Sequence, residues 1–334
     1  MADRARRIAA FLAVAGWEDA EARPLAGDAS ARRYARLRRA DGAGAVLMDA
    51  DPATGETVRP FRWIARHLLG LGLSAPRILA ADETGGLLLL EDLGDALVGK
   101  VAAAEPAAEP RLYAAAAGTL AALHRHAPPD RVDPATPARL AAMTDPAFTQ
   151  YAPEMPDARR RQAVQALEAL LARHADAATV LVLRDFHAEN LIWLPERDEA
   201  ARIGLLDFQD AIAGHPAYDL ASLLTDARRD VSPAAADAAR RAYLDATGTQ
   251  AEAFGTAMAV LGVQRNLRIL GVFARLARVH GKPGYLGLLP RVWAHLQADL
   301  SRPALATLSA ALDGALPPPS PAHLETLRRP CPTP

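Results

Sequence analysis

Residues 180–224 read VLVLRDFHAENLIWLPERDEAARIGLLDFQDAIAGHPAYDLASLL, and the order of apolar runs and polar breaks in them decides the fold. Val180-Leu181-Val182-Leu183 is a continuous apolar run, the pattern of a short buried strand. Residues 184–190 follow as a polar loop. Leu191-Ile192-Trp193-Leu194 and Ile203-Gly204-Leu205-Leu206 read as two further strands, with Pro195 opening the turn between them. Asp207 stands where the second of these strands ends.

The spacing has a chemical meaning. Phosphoryl transfer to a hydroxyl needs a carboxylate to orient and deprotonate the nucleophile. It also needs hard oxygen ligands for the Mg²⁺ that accompanies nucleotide phosphates. Asp185 suits the first role; Asn190 and Asp207 suit the second. Together with His187 they resemble the loop His-Gly-Asp-x-His-x-x-Asn and the metal strand Ile-Asp-Phe/Trp of the aminoglycoside phosphotransferase and choline kinase superfamily. That superfamily is the small-molecule branch of the protein-kinase fold. Leu183 and Arg184 stand where His and Gly are usual. A loop-bracing hydrogen bond and a part in the chemistry are both open to His187.

The resemblance implies a two-lobed α+β fold with ATP and Mg²⁺ in the cleft. A small antiparallel sheet lobe is expected over residues 1–92 and a mainly helical lobe over 93–316. Residues 317–334 are Pro-rich and read as disordered.

Whole-chain properties agree with this. At 334 residues the chain suits two domains or one two-lobed domain, and 51% hydrophobic residues suffice for a large core. A formal net charge of −1 argues against a general nucleic-acid binder. The single Cys331 excludes an internal disulfide and a thiolate zinc cluster. Only a short apolar patch follows the charges at Asp3, Arg4, Arg6 and Arg7, so no signal peptide is expected. With no uninterrupted apolar run of about 18 residues, no membrane span is expected. The expectation is a cytoplasmic monomer, with ATP as a partner by the resemblance and neither nucleic acid nor membrane as one.

Upstream, residues 3–15 show helical spacing at Ile8, Phe11, Leu12 and Ala15. The turn Gly27-Asp28-Ala29-Ser30 then leads into an alternating strand through Arg32, Arg33 and Tyr34. In the superfamily such a hairpin covers the ATP phosphates, and backbone N–H groups with a Ser hydroxyl can hold phosphate oxygens there. A plain hairpin reads equally well from these residues. Residues 45–50 resemble the strand that carries a phosphate-pairing lysine, but Met48 occupies that place. The chain has 36 Arg and only two Lys, Lys100 and Lys282, neither near it. The helix of residues 60–69 contains no acid to pair with a lysine. Arg32 or Arg33 would supply positive charge to the phosphates, or both are solvated hairpin arginines.

Residues 76–80 and 86–90 read as paired strands. By the resemblance, Glu91, Asp92 and Leu93 form the interlobe hinge, where adenine meets backbone rather than side chains. Residues 102–110 read as a low-complexity connector and residues 127–156 as an irregular insertion. Helices are expected over residues 110–126, 157–174, 218–228, 233–244, 254–280 and 288–300. Asp219, early in one of them, is expected to brace the catalytic loop. His124 is read as a buried structural histidine, and Asp210 as either structural or substrate-facing. In residues 254–280, Gln264, Arg268, Gly271, Arg275 and Arg278 make a stripe at three-four spacing. It is either a solvated basic face or, through Gln264, Arg268 and Arg275, an acceptor-binding one.

Met-Asp-Ala at 48–50, Ser-x-Arg-Arg-Tyr at 30–34, Arg-Pro-Phe at 59–61 and residues 214–231 resemble one subgroup of the superfamily. These are the bacterial anomeric kinases of N-acetylmuramate and N-acetylglucosamine, which serve cell-wall recycling. The resemblance covers residues 5–300. Two other readings stay open: a kinase of an aminoglycoside-like or amino-alcohol acceptor, and a nucleotide-binding pseudokinase scaffold.

Overall fold

The computed structural model describes residues 2–25 and 32–329. In chain order, α1 (Ala2–Val14), β1 (Glu21–Pro24), β2 (Arg33–Arg38), β3 (Gly44–Asp49), α2 (Arg59–Gly70), β4 (Ile78–Asp82) and β5 (Leu87–Glu91) come first. Helices α3 (Val98–Ala104), α4 (Glu109–Leu123), α5 (Pro137–Ala142) and α6 (Asp157–His174) follow. Four short strands are next: β6 (Val180–Val182), β7 (Leu191–Trp193), β8 (Ile203–Leu205) and β9 (Ile212–Gly214). Helices α7 (Ala217–Leu224), α8 (Pro233–Thr247), α9 (Ala251–Arg278), α10 (Leu289–Leu300), α11 (Ala306–Leu312) and α12 (Pro321–Arg328) complete the chain.

The chain forms two compact units, Met1–Val98 with Asn190–Asp210, and Gly99–Glu189 with Ala211–Pro334. A division at 92/93 therefore misses a return of the chain. The β7–β8 hairpin belongs to the first unit because its backbone finds partners there. Leu205 N donates to Ser74 O at 2.7 Å and Trp193 N to Ala96 O at 2.7 Å. Arg197 adds an ion pair to Glu91 at 2.9 Å.

In the first unit a five-stranded antiparallel sheet runs in the order β1-β2-β3-β5-β4. Leu37, Ala45, Leu47, Leu87 and Leu89 cluster with Phe11 of α1 and Trp17. Side chains alternate along a strand, so Met48, Leu88 and Leu90 lie on the opposite face, and they too are buried. That is why β5 is a continuous Leu run rather than an alternating one. Helix α2 opens on Arg59-Pro60, and Phe61, Ile64 and Leu68 form its buried stripe. The Phe61 ring stacks on Phe208 at 4.7 Å, which fixes the segment around Asp207 to α2.

In the second unit α9 is the central helix, with α7, α10, α6 and residues 147–151 packed on it. By length and composition it could cross a membrane, but 78% of its apolar window is buried inside the protein, as in a core helix. Gly271 permits the closest approach: a Cβ there would stand 2.1 Å from the backbone carbon of Pro146. His124, after α4, lies 2.8 Å from the Tyr243 hydroxyl of α8, and burial pushes its pKa down to about 3.

Three segments are more ordered than their composition suggests. The connector region holds α3, and the 127–156 insertion holds α5 and a π-turn over Ala147–Tyr151. The expectation of disorder over residues 317–334 is corrected as far as residue 329, because Pro321–Arg328 is helical. Ser320 caps it by accepting from His323 N, Leu327 is buried, and Tyr151 donates to Pro317 O at 2.8 Å. Composition misled because the cap and one buried leucine carry more weight locally than proline content.

Candidate active site

The loop that carries Asp185 belongs to the second unit and is built on β6, which pairs with β9. Asp219, on α7, is fully buried beneath it. Its Oδ2 accepts Leu183 N at 2.6 Å and its Oδ1 accepts Arg184 N at 2.9 Å. Burial pushes this carboxyl up to about 7, against the pull of the two N–H groups. Ser222, also on α7, donates to Arg184 O at 3.2 Å. Arg184 stands in the left-handed region at φ 71°. Glycine adopts that conformation without steric cost, which gives a physical reason for glycine being usual there. Asp185 follows, partly exposed, so its carboxylate can meet a solute.

Farther along, Ala188 O accepts Gly99 N at 3.0 Å, and a Cβ on Gly99 would stand 2.3 Å from Glu189 Oε1. His187 is buried, with Nε2 3.3 Å from Arg228 Nη1. The structure thus gives His187 a partner that ties the loop to the segment after α7.

Asn190 and Asp207 lie in the first unit and are placed by one ladder. Leu191 pairs with Leu205, and Leu206 N donates to Asn190 O at 3.0 Å. Asp207 is one residue further on, so the two oxygen-bearing side chains sit at the same end of the hairpin. Asp207 has φ 55°, and its Oδ1 accepts Gln209 Nε2 at 2.8 Å. An amide and a carboxylate oxygen are hard donors, too few to enclose a cation. They suit Mg²⁺, which keeps waters and takes phosphate oxygens.

Other expected site residues of the first unit are placed as follows. Glu91 is paired with Arg77 and Arg197, and its own N–H donates to Arg77 O. Asp92 is paired with Arg36 and accepts Gly94 N at 3.0 Å. Leu93 is buried. The side chains at 91–93 thus hold the segment in place. Arg33 pairs with buried Asp49 at 3.0 Å, and Arg4 of α1 donates to the same carboxylate. Arg32 pairs with Glu56 at 2.9 Å. Ser30 lies outside the described residues. Asp210 is exposed.

In the second unit the α9 stripe does not form one surface. Gln264 is fully buried and donates to Leu140 O at 2.9 Å, and Arg278 donates to Gln150 O at 2.9 Å. Arg268 is partly exposed and Arg275 exposed.

Sequence reading missed two residues. Glu56 precedes α2 and so lies outside the acid-free helix. Arg265 is almost fully buried, donates to Thr225 O at 3.4 Å, and its charge reaches Asp185 and Asp226. Its signal was available: Gln264-Arg265-Asn266 interrupts an apolar helix, and burial of three successive polar residues is rare.

Comparison with known proteins agrees with the geometry. The profile of the phosphotransferase enzyme family matches residues 21–254. A curated N-acetylmuramate/N-acetylglucosamine kinase of Caulobacter vibrioides is 38% identical, across 94% of this chain and 97% of its own. A kinase of the same name from Pseudomonas aeruginosa is 35% identical, across 89% and 90%. The structure of a choline/ethanolamine kinase family protein from Mesorhizobium loti superposes with a TM-score of 0.59. It covers 93% of this chain and 98% of that one at 18% identity, which shows a shared fold.

Proposed function

This chain belongs to the phosphotransferase enzyme family, with ATP as its co-substrate, and we propose that it phosphorylates the anomeric hydroxyl of N-acetylmuramate and N-acetylglucosamine. The observation that carries the choice of sugar is likeness along nearly the whole chain to two kinases named for that pair. Such products would feed the recycling of cell-wall sugars.

Asp185 is the proposed general base. It orients the sugar hydroxyl and takes its proton as the oxygen attacks phosphorus in line, with no covalent phosphoenzyme. Asn190 and Asp207 would hold Mg²⁺, which when bound neutralises charge on the phosphates. Asp219 and His187 keep the loop in shape through Leu183 N, Arg184 N and Arg228. Backbone at Glu91, Asp92 and Leu93 would receive adenine. N-acetylmuramate carries a lactyl carboxylate that N-acetylglucosamine lacks. Arg268 and Arg275 are the proposed donors to it, because an arginine fork offers two parallel charge-assisted bonds. Gln264 and Asp210 are the remaining acceptor candidates, with the Gln264 amide already donating to Leu140.

The test is ³¹P NMR of a reaction containing ATP, Mg²⁺ and a panel of sugars, aminoglycosides and amino alcohols. A sugar phosphate coupled to the anomeric proton is expected. Phosphate on another hydroxyl, or turnover only with an aminoglycoside or amino alcohol, overturns the reading.

A further inference from the structure

The first unit contains a charged cluster that the proposed chemistry leaves unexplained. Tyr34 in β2 is directly opposite Met48 in β3. Cross-strand partners share a face. Arg32 immediately precedes β2, and both it and Glu56 stand close enough to the Tyr34 phenol for the phenol to feel their charge. The Arg32 guanidinium is paired with Glu56 at 2.9 Å, with side chains only 11% and 20% exposed. Arg32 also hydrogen-bonds the Tyr34 phenol, and that phenol is close enough to Asp207 to feel its charge. A phenol is neutral at physiological pH. Phe61 on Phe208 fixes the neighbouring segment. A buried cation, a carboxylate that holds it, a neutral phenol and an exposed carboxylate thus stand side by side within one unit.

Arg33 is a poorer candidate for the same work. It faces the other way, onto Asp49, which also binds Arg4 of α1.

We propose that Arg32 binds the phosphates of ATP and that Glu56 positions it, the two replacing an ion pair that Met48 and the acid-free α2 cannot form. The proposal rests on ATP being the phosphoryl donor, not on which sugar accepts. A planar guanidinium matches two phosphate oxygens at once, and one held by a carboxylate arrives already oriented. The neutral Tyr34 phenol adds no charge that would repel the phosphates.

Calorimetry without any acceptor tests this, with ATP and adenosine as titrants in the presence of Mg²⁺. Arg32→Ala is expected to weaken ATP binding at least tenfold and to leave adenosine unchanged. Arg32→Lys should recover part of the loss, since charge returns without the fork. Glu56→Gln should weaken ATP several-fold and again spare adenosine. Thermal unfolding of each variant checks that it is folded, and Arg32→Lys serves if Arg32→Ala is not. Unchanged ATP affinity in the Arg32 variants, or equal losses for ATP and adenosine, overturns the assignment while leaving the kinase reading intact. A wild-type protein that binds adenosine and ATP equally well also overturns it. One that binds neither overturns both.

Discussion

The carboxylate of Asp219 holds the backbone N–H of Arg184 at 2.9 Å while Arg184 stands at φ 71°. Leu183 N is held by the other oxygen at 2.6 Å. Two anchors on successive amides leave the chain little choice in how it presents Asp185. Asp219→Asn keeps the shape but offers one acceptor where two are used. We predict a loss of ~10–100-fold in kcat, the usual size for a residue that orients a functional one. KM for ATP should change little. Near-normal kcat would show that Asp185 needs no such brace.

Arg184 itself gives a second prediction. A left-handed conformation costs an ordinary L-residue roughly 1–2 kcal/mol. Glycine escapes that cost but loses about 0.4–1 kcal/mol through the freedom it adds to the unfolded chain. Arg184→Gly should therefore leave stability unchanged or raise it by up to about 1.6 kcal/mol. Chemical denaturation measures this directly, and a clear destabilisation would mean that the arginine side chain matters more than its backbone.

Asp185→Asn should retain ATP binding and lose ~10²–10⁴-fold in kcat, the range for removal of a general base. Single-turnover kinetics at saturating ATP is the right measurement, because it isolates the chemical step. Turnover close to wild type would remove Asp185 from that role.

Asn190→Ala and Asp207→Ala each delete one hard oxygen donor. Both should raise the Mg²⁺ concentration needed for half-maximal activity as well as lower kcat. Titration with Mg²⁺ at fixed ATP decides it. An unchanged Mg²⁺ requirement in both variants would place the metal elsewhere.

Acid stability follows from two histidines. The folded chain holds His124 at a pKa of about 3 and His215 at about 4, both lowered by burial. The unfolded value is about 6.5. Between these limits the unfolded chain takes up protons that the folded chain refuses, so stability falls as pH falls below about 6.5. His124→Gln keeps a polar partner for Tyr243 and removes one titrating group. Its Tm should decline less steeply than wild type between pH 7 and 5, and an identical slope would sink the assignment.

Much of the fold is legible because periodicity is a local property. The Phe61-Ile64-Leu68 stripe, the Leu run of β5 and the strands on either side of residues 184–190 follow from spacing alone. The two strands that Asn190 and Asp207 flank are also legible, but the long connection over residues 194–202 leaves their register open until Leu191 is seen opposite Leu205. Pairings between distant residues are not legible. Nothing in the sequence ties Arg32 to Glu56 rather than to Asp49, because that choice depends on β2 beginning at Arg33, which pairs with Asp49 across the ladder. The α9 stripe shows the limit of spacing arguments. Gln264 and Arg275 share a helical face, but one is fully buried against Leu140 and the other exposed. Pro321–Arg328 was legible in its Ser-Pro start, but Pro-rich composition outweighed that signal.

The return of Asn190–Asp210 to the first unit sets an order on biosynthesis. A ribosome that has released residue 98 has not released everything this unit needs. Ser74 O and Ala96 O await amides at Leu205 and Trp193, and Glu91 awaits Arg197. Until those residues emerge, the nascent sheet keeps an unfinished flank. It closes only after more than 90 intervening residues have been translated, a long loop whose closure is slow even though its entropic cost grows only logarithmically with length. The first unit is therefore complete only once residue 210 has emerged, and the second, which needs residues 211 onward, later still.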